Sequence, residues 1–122
     1  MAVRSKVLQW IGAARSEIQE FPEDARCEAG QNLRRVQRGL PPRDWKPMEG
    51  VGPGACEIRV RSSEGGTVQH RVIYVARFDA AVYVLHAFQK KSRRTPDRNL
   101  RLAARRYREM LDQLRSQGET GA

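Results

Sequence analysis

Residues 82–96 read VYVLHAFQKKSRRTP. The stretch opens as a β-branched and aromatic run, Val82 to Phe88, whose composition suits a buried strand. A single histidine, His86, interrupts it. Four cations then crowd into the next positions: Lys90, Lys91, Arg93 and Arg94. Thr95-Pro96-Asp97 follows as an N-cap, a first helical residue and a favourable first-turn charge. A strand that delivers a histidine and a cation cluster to one sheet edge can hold a phosphate-rich ligand, or cut one.

The flanking sequence builds a fold around that strand. Cys56, Ile58 and Val60 alternate with Glu57, Arg59 and Arg61, the pattern of a half-buried strand with a charged face. Ser62 to Gly66 reads as a hairpin loop and Val68 to Arg77 as the second strand. Phe78-Asp79-Ala80 turns the chain into the third, Ala81 to Phe88. Short connections predict an antiparallel meander. Upstream, Ala13 to Phe21 reads as a helix. Ala25, Ala29, Leu33, Val36 and Leu40 recur at helical spacing over Asp24 to Arg38. Gly39 and Pro41-Pro42 stop that helix. Val7 to Ile11 is readable as a strand or a helix start. The last helix carries an apolar stripe, Leu100, Ala103, Ala104, Tyr107, Met110, Leu111 and Leu114, beside a cationic ridge, Arg98, Arg101, Arg105 and Arg108. Ser116 to Ala122 is expected to fray. The expected class is α+β, with one domain over 1–122.

The charge is lopsided. The 122 residues hold 23 Lys and Arg against 14 Asp and Glu, for +9. Gln89 to Arg108 contains nine basic residues and one acid, Asp97, and so carries almost all of the excess. Concentrated positive charge predicts a polyanionic partner, nucleic acid first. Two cysteines, Cys27 and Cys56, make no disulfide framework and fit a cytoplasmic protein. The N-terminus makes a poor signal peptide, and no run reaches transmembrane length. GVGPG at 50–54 lacks the spacing of a phosphate-binding loop and reads as a turn.

No Ser/His/Asp constellation, nucleotide loop or acidic magnesium cluster stands out, so no metal or cofactor is expected. Metal-free RNA cleavage needs a base for the ribose 2′-OH, cations for the phosphorane and an acid for the leaving 5′-oxygen. Arg59 and Arg61 share one strand face, Arg71 and Tyr74 lie on the next strand, and His86 on the third, followed by Lys90 and Lys91. Each also has a structural reading. Arg71 in a central strand demands a partner, either a phosphate or Glu57 across the hairpin. His70, beside the loop, is expected to be exposed.

The stretches RDWKPMEGVGPGACEIRVR and HRVIYVARFDAAVYVLHAFQKKSRRTP, with the closing helix, resemble the phage Gp49-like branch of the HigB toxins, within the RelE/ParE superfamily. The resemblance runs from about Phe21 to Leu114. It implies two N-terminal helices packed on a small, curved, mainly antiparallel sheet, with Val7 to Ile11 as a short first strand and a C-terminal helix. It implies the toxin of a type II toxin-antitoxin system, a ribosome-dependent endoribonuclease (mRNA interferase). The implied partners are the ribosome, mRNA and a cognate helix-turn-helix antitoxin of the HigA/Xre type.

By the same resemblance, Arg71 matches a scissile-phosphate arginine, and Arg59 and Arg61 match RNA- or ribosome-binding positions. Lys90 and Lys91 match the basic residues after the last strand, and His86 the histidine of this branch. Arg71, His86, Lys90 and Lys91 are the expected catalytic group. Arg93, Arg94, Arg98, Arg101 and Arg105 join Arg59 and Arg61 as RNA contacts. RelE toxins carry a C-terminal tyrosine near the site. Here no tyrosine follows the basic loop until Tyr107, on the packing stripe, so the proton-transfer roles stay open between His86 and Lys91. Two other functions fit the pattern: a non-catalytic ParE-like gyrase inhibitor and a basic nucleic-acid-binding phage accessory protein.

Overall fold

The computed structural model describes residues 5–62, 69–91 and 94–121, with side chains to residue 117. The chain starts on a strand, β1 (Val7–Trp10), followed by helices α1 (Ala14–Gln19) and α2 (Glu23–Gln37). Strands β2 (Trp45–Pro47), β3 (Ala55–Val60), β4 (Gln69–Val75) and β5 (Ala81–Lys90) come next, and helix α3 (Asp97–Gly121) closes the chain. The strands form one five-stranded sheet in the order β1-β5-β4-β3-β2. β1 joins β5 in parallel, while the other neighbours are antiparallel.

This corrects the expected architecture of two N-terminal helices on a small, mainly antiparallel sheet. The sheet is mixed and five-stranded, the helices come after strands, and strands dominate the organisation. The physical reason is the crossover. A parallel neighbour cannot be reached by a tight turn, so α1, α2 and the rest of the meander intervene between β1 and β5. Two further boundaries differ. β5 runs on to Lys90, so Lys90 is a strand residue rather than part of a loop. α3 continues to Gly121, through the segment expected to fray.

Alternation along the strands sorts side chains onto two faces. Ile58, Val60, Val72, Tyr74, Val82 and Val84 pack against Ala14 and Ile18 of α1 and Ala25, Ala29, Leu33 and Val36 of α2. Ala55, Ile73, Val75, Tyr83 and Leu85 pack on the other face against Ala103, Tyr107 and Met110 of α3. The β4–β5 register slips between Ile73 and Tyr74, which pair with His86 and Val84. Leu85 is the extra residue of this bulge, and it resets the alternation of β5. Beyond it Ala87 faces α1 and α2, and Phe88 faces α3.

The loop before β3 is fitted to α3 at one glycine. A Cβ on buried Gly52 would meet the Tyr107 ring at 2.6 Å. The Tyr107 hydroxyl donates to Pro53 O at 2.6 Å, so the ring has little room to retreat. Gly52→Ala should therefore cost about 1–3 kcal/mol of stability by overpacking. Urea denaturation checks this, and an unchanged midpoint would count against the fit.

Candidate functional site

Past the end of the α3 contact, the same face of the sheet turns polar. Glu57, Arg59 and Arg61 continue the face of Ala55, Arg71 that of Ile73, and Lys90 that of Phe88. Arg71 lies directly across from Arg59 on β3 and Phe88 on β5. Its guanidinium is buried and fixed. One Nη donates to His70 O at 3.2 Å and the other to Gln69 Oε1. Its Nε lies 3.2 Å from Glu57 Oε1, an ion pair without hydrogen-bond alignment.

Glu57 is fully buried, and neither of its oxygens receives a hydrogen bond. Such a carboxylate is costly unless cations surround it. Arg71 is one, and Lys46 Nζ at 3.9 Å is another. Lys90 is buried at the end of β5. Burial lowers its pKa, the neighbouring Arg71 charge lowers it further, and Glu57 partly opposes both. Arg71 is weakened as a cation first by burial, with Glu57 restoring it, and remains charged. Arg59, Arg61, Arg71, Gln69, Val60 and Asp44 line a polar pocket of about 170 Å³ above this floor. Asp44 sits 3.6 Å from Arg59.

His86 lies on this face too, but its partners come from elsewhere. Nδ1 is 2.8 Å from Glu17 of α1, and Nε2 is 2.7 Å from Asn99 Oδ1 of α3. The ring stacks on Phe88 at 5.1 Å. Glu17 Oε1 also receives Arg106 Nη1 at 2.7 Å and the Ala87 N–H at 3.2 Å. Arg106 further donates to Leu85 O at 3.0 Å. The network thus pins α1 and α3 to β5 at the bulge. Both His86 nitrogens are engaged, which leaves the ring no free lone pair for taking a substrate proton.

The family model described as Phage derived protein Gp49-like matches residues 16–108. The chain belongs to this family. No curated protein matches it. The family is phage-derived and toxin-like, compatible with a toxin role. The matched segment of the Gp49-like chain contains every residue of the cluster and of the network. Among the described residues, no helix is long and apolar enough to cross a membrane, and no three His, Cys, Asp or Glu side chains gather to hold a metal ion.

The expected site residues of the Gp49-like chain fall into three groups. Arg59, Arg61, Arg71 and Lys90 gather on one sheet face. His86 is built into the interior network. Lys91, Arg94, Arg98, Arg101 and Arg105 are exposed along the β5–α3 connection and helix, and Arg93 lies outside the described residues. The hairpin loop expected at 62–66 also lies outside them beyond Ser62. His70 is buried rather than exposed, packed on Phe21 at 4.6 Å, because strand alternation turns it toward α1 and α2. Burial lowers its pKa, and Asp24 pulls the other way. Glu17, Asn99 and Arg106 were not legible as site residues, since their meeting depends on the packing of α1 and α3. Glu57 carried a signal, an acid alternating with arginines on a strand.

Proposed function

We propose that this Gp49-like protein is the toxin of a type II toxin-antitoxin pair, acting in the cytoplasm, and that it cleaves mRNA on the ribosome without a metal ion. The observation that carries the reading is the buried Arg71, held rigid by Gln69, His70 O and Glu57 beneath a pocket lined by Arg59 and Arg61. Fixed cations aimed at one place stabilise charge that develops there, with no reorganisation at the moment of reaction. The ribose 2′-oxygen attacks phosphorus and the bond to the 5′-oxygen breaks. Arg71 and Arg59 neutralise the phosphorane. Lys90 takes the 2′-OH proton, since its lowered pKa supplies a neutral amine at milder pH than an exposed lysine does. Lys91, the next residue, protonates the leaving oxygen. Glu57 positions Arg71 and does not touch RNA, and His86 holds the strand.

The exposed arginines of α3 fit ribosomal RNA as the platform. The cognate partner is a helix-turn-helix antitoxin of the HigA/Xre type. Mapping mRNA 5′ ends after expression tests the reading: new, codon-phased ends are expected. Growth arrest without such ends favours a ParE-like gyrase inhibitor instead.

The role of Lys90 has its own signature. Single-turnover cleavage on programmed ribosomes should rise with pH as Lys90 loses its proton, then level off. Lys90→Arg cannot supply a neutral amine. It should remove that rise and lower the rate about 10²-fold at neutral pH. An unaltered pH profile in Lys90→Arg would assign the base elsewhere.

A further inference from the structure

Across the ladder from Arg71 lies a second pocket, of about 330 Å³, lined by Phe88, Gln89, Lys91, Pro96, Arg98 and Asn99. Phe88 is the register partner of Arg71, so their backbones are one strand spacing of about 5 Å apart. We propose that this pocket takes one nucleobase of the bound RNA, packed against the exposed part of Phe88, and that Gln89 and Asn99 read its edge. The ligand's identity as RNA rests on the cleavage reading above.

The lining has the parts that single-stranded RNA recognition uses: an aromatic side chain, amides for a base edge and cations for the adjoining backbone. A site for phosphate alone would need neither the aromatic ring nor the amides. The Phe88 ring is mostly buried and held by its neighbours. His86 stacks on one face of Phe88 with their planes 20° apart, and His86 is itself held by Glu17 and Asn99. Asn99 is more than nine-tenths buried. Its Oδ1 lies 2.7 Å from His86 Nε2, which ties the amide to the interior network. Among the described residues its Nδ2 has no hydrogen-bond partner, and Asn99 lines the pocket. Amides such as those of Asn99 and the exposed Gln89 offer both a donor and an acceptor, which a base edge can meet.

The interior network thus acquires a second consequence. By fixing His86, it also sets the Phe88 ring and the Asn99 amide that the base would meet.

Two measurements test the proposal. The first is an NMR titration of the ¹⁵N-labelled wild-type chain with AMP, CMP, GMP and UMP, which contain no phosphodiester to cut, and with inorganic phosphate. Base-dependent shifts are expected at Gln89, Asn99 and their neighbours, with phosphate moving only Lys91 and Arg98. Identical shifts from all four nucleotides, or phosphate reproducing them all, overturn the pocket. The second is 5′-end mapping with Gln89→Ala. The preference for the favoured base beside the cut should fall about fivefold, the scale of one hydrogen bond, with cutting itself retained. Unchanged preference in an active Gln89→Ala toxin overturns the base-reading role. Base-selective shifts in a chain that cuts no mRNA leave the pocket standing and remove the cleavage reading instead.

Discussion

Arg71→Ala is expected to silence the toxin, lowering mRNA cleavage on programmed ribosomes about 10³-fold, the scale of losing one preorganised group that stabilises developing charge. The substitution has a second effect. It leaves Glu57, fully buried and without hydrogen bonds, facing among the described residues only Lys46 at 3.9 Å and the field of Lys90. Removing one partner of a buried ion pair costs about 3–5 kcal/mol, so a lost phenotype in Arg71→Ala alone does not separate chemistry from unfolding. The double variant Glu57→Gln with Arg71→Ala separates them. Neutralising the orphaned acid should return much of the stability in urea denaturation, while growth inhibition and cleavage stay absent. Arg71→Lys should keep the charge but lose the forked contacts to Gln69 and His70 O, and retain only a small part of the rate. A folded double variant that still cleaves at the wild-type rate would remove Arg71 from the mechanism.

How much of this was readable beforehand follows from the range of the interactions. α2 announced itself because Ala25, Ala29, Leu33 and Val36 repeat at helical spacing and bury one face. The three long strands did so through alternation and turn residues. β2 could not, since Trp45–Pro47 is three residues long, contains a proline and sits in a proline-rich loop. The parallel seat of β1 beside β5 was equally hidden. Four residues show no period, and their partner lies more than seventy positions away.

The site divides the same way. Arg59 and Arg71 are brought together by a short hairpin register, which sequence spacing approximates. The environment of His86 is not local. It joins Glu17, Asn99 and Arg106 from two helices through a bulge that ordinary alternation does not foresee. A histidine amid apolar strand residues, followed by lysines, looks like a catalytic base until those partners are placed. Arg106 misleads in the opposite sense. Among the arginines of α3 it seems one more solvated cation, yet it is the one turned inward, with Nη1 bonded to both Glu17 and Leu85 O.

That inward network yields the second large effect. Partial burial alone would raise the Glu17 carboxyl. The hydrogen bonds from His86 and Arg106, the His86 charge and the Ala87 N–H outweigh it and bring it from the usual 4.5 down to about 2. A drop of that size corresponds to about 3 kcal/mol of folding stability. The sign follows from proton binding. In the unfolded chain the carboxyl takes up a proton near pH 4.5, whereas in the folded chain it resists until near pH 2. The contribution is therefore complete above about pH 5 and drains away as pH falls from there toward 2. Glu17→Gln removes the charge and keeps nearly the same shape. At neutral pH it should unfold with about 3 kcal/mol less stability than wild type, and the two proteins should converge as the pH approaches 2. Because Glu17 also receives the Ala87 N–H, amide exchange at Ala87 should quicken in the variant at neutral pH. Urea titrations at several pH values read the first effect. If Glu17→Gln reproduces the wild-type loss of stability on acidification, the acid sensitivity belongs to another carboxylate and the clamp between α1, β5 and α3 does not depend on this charge.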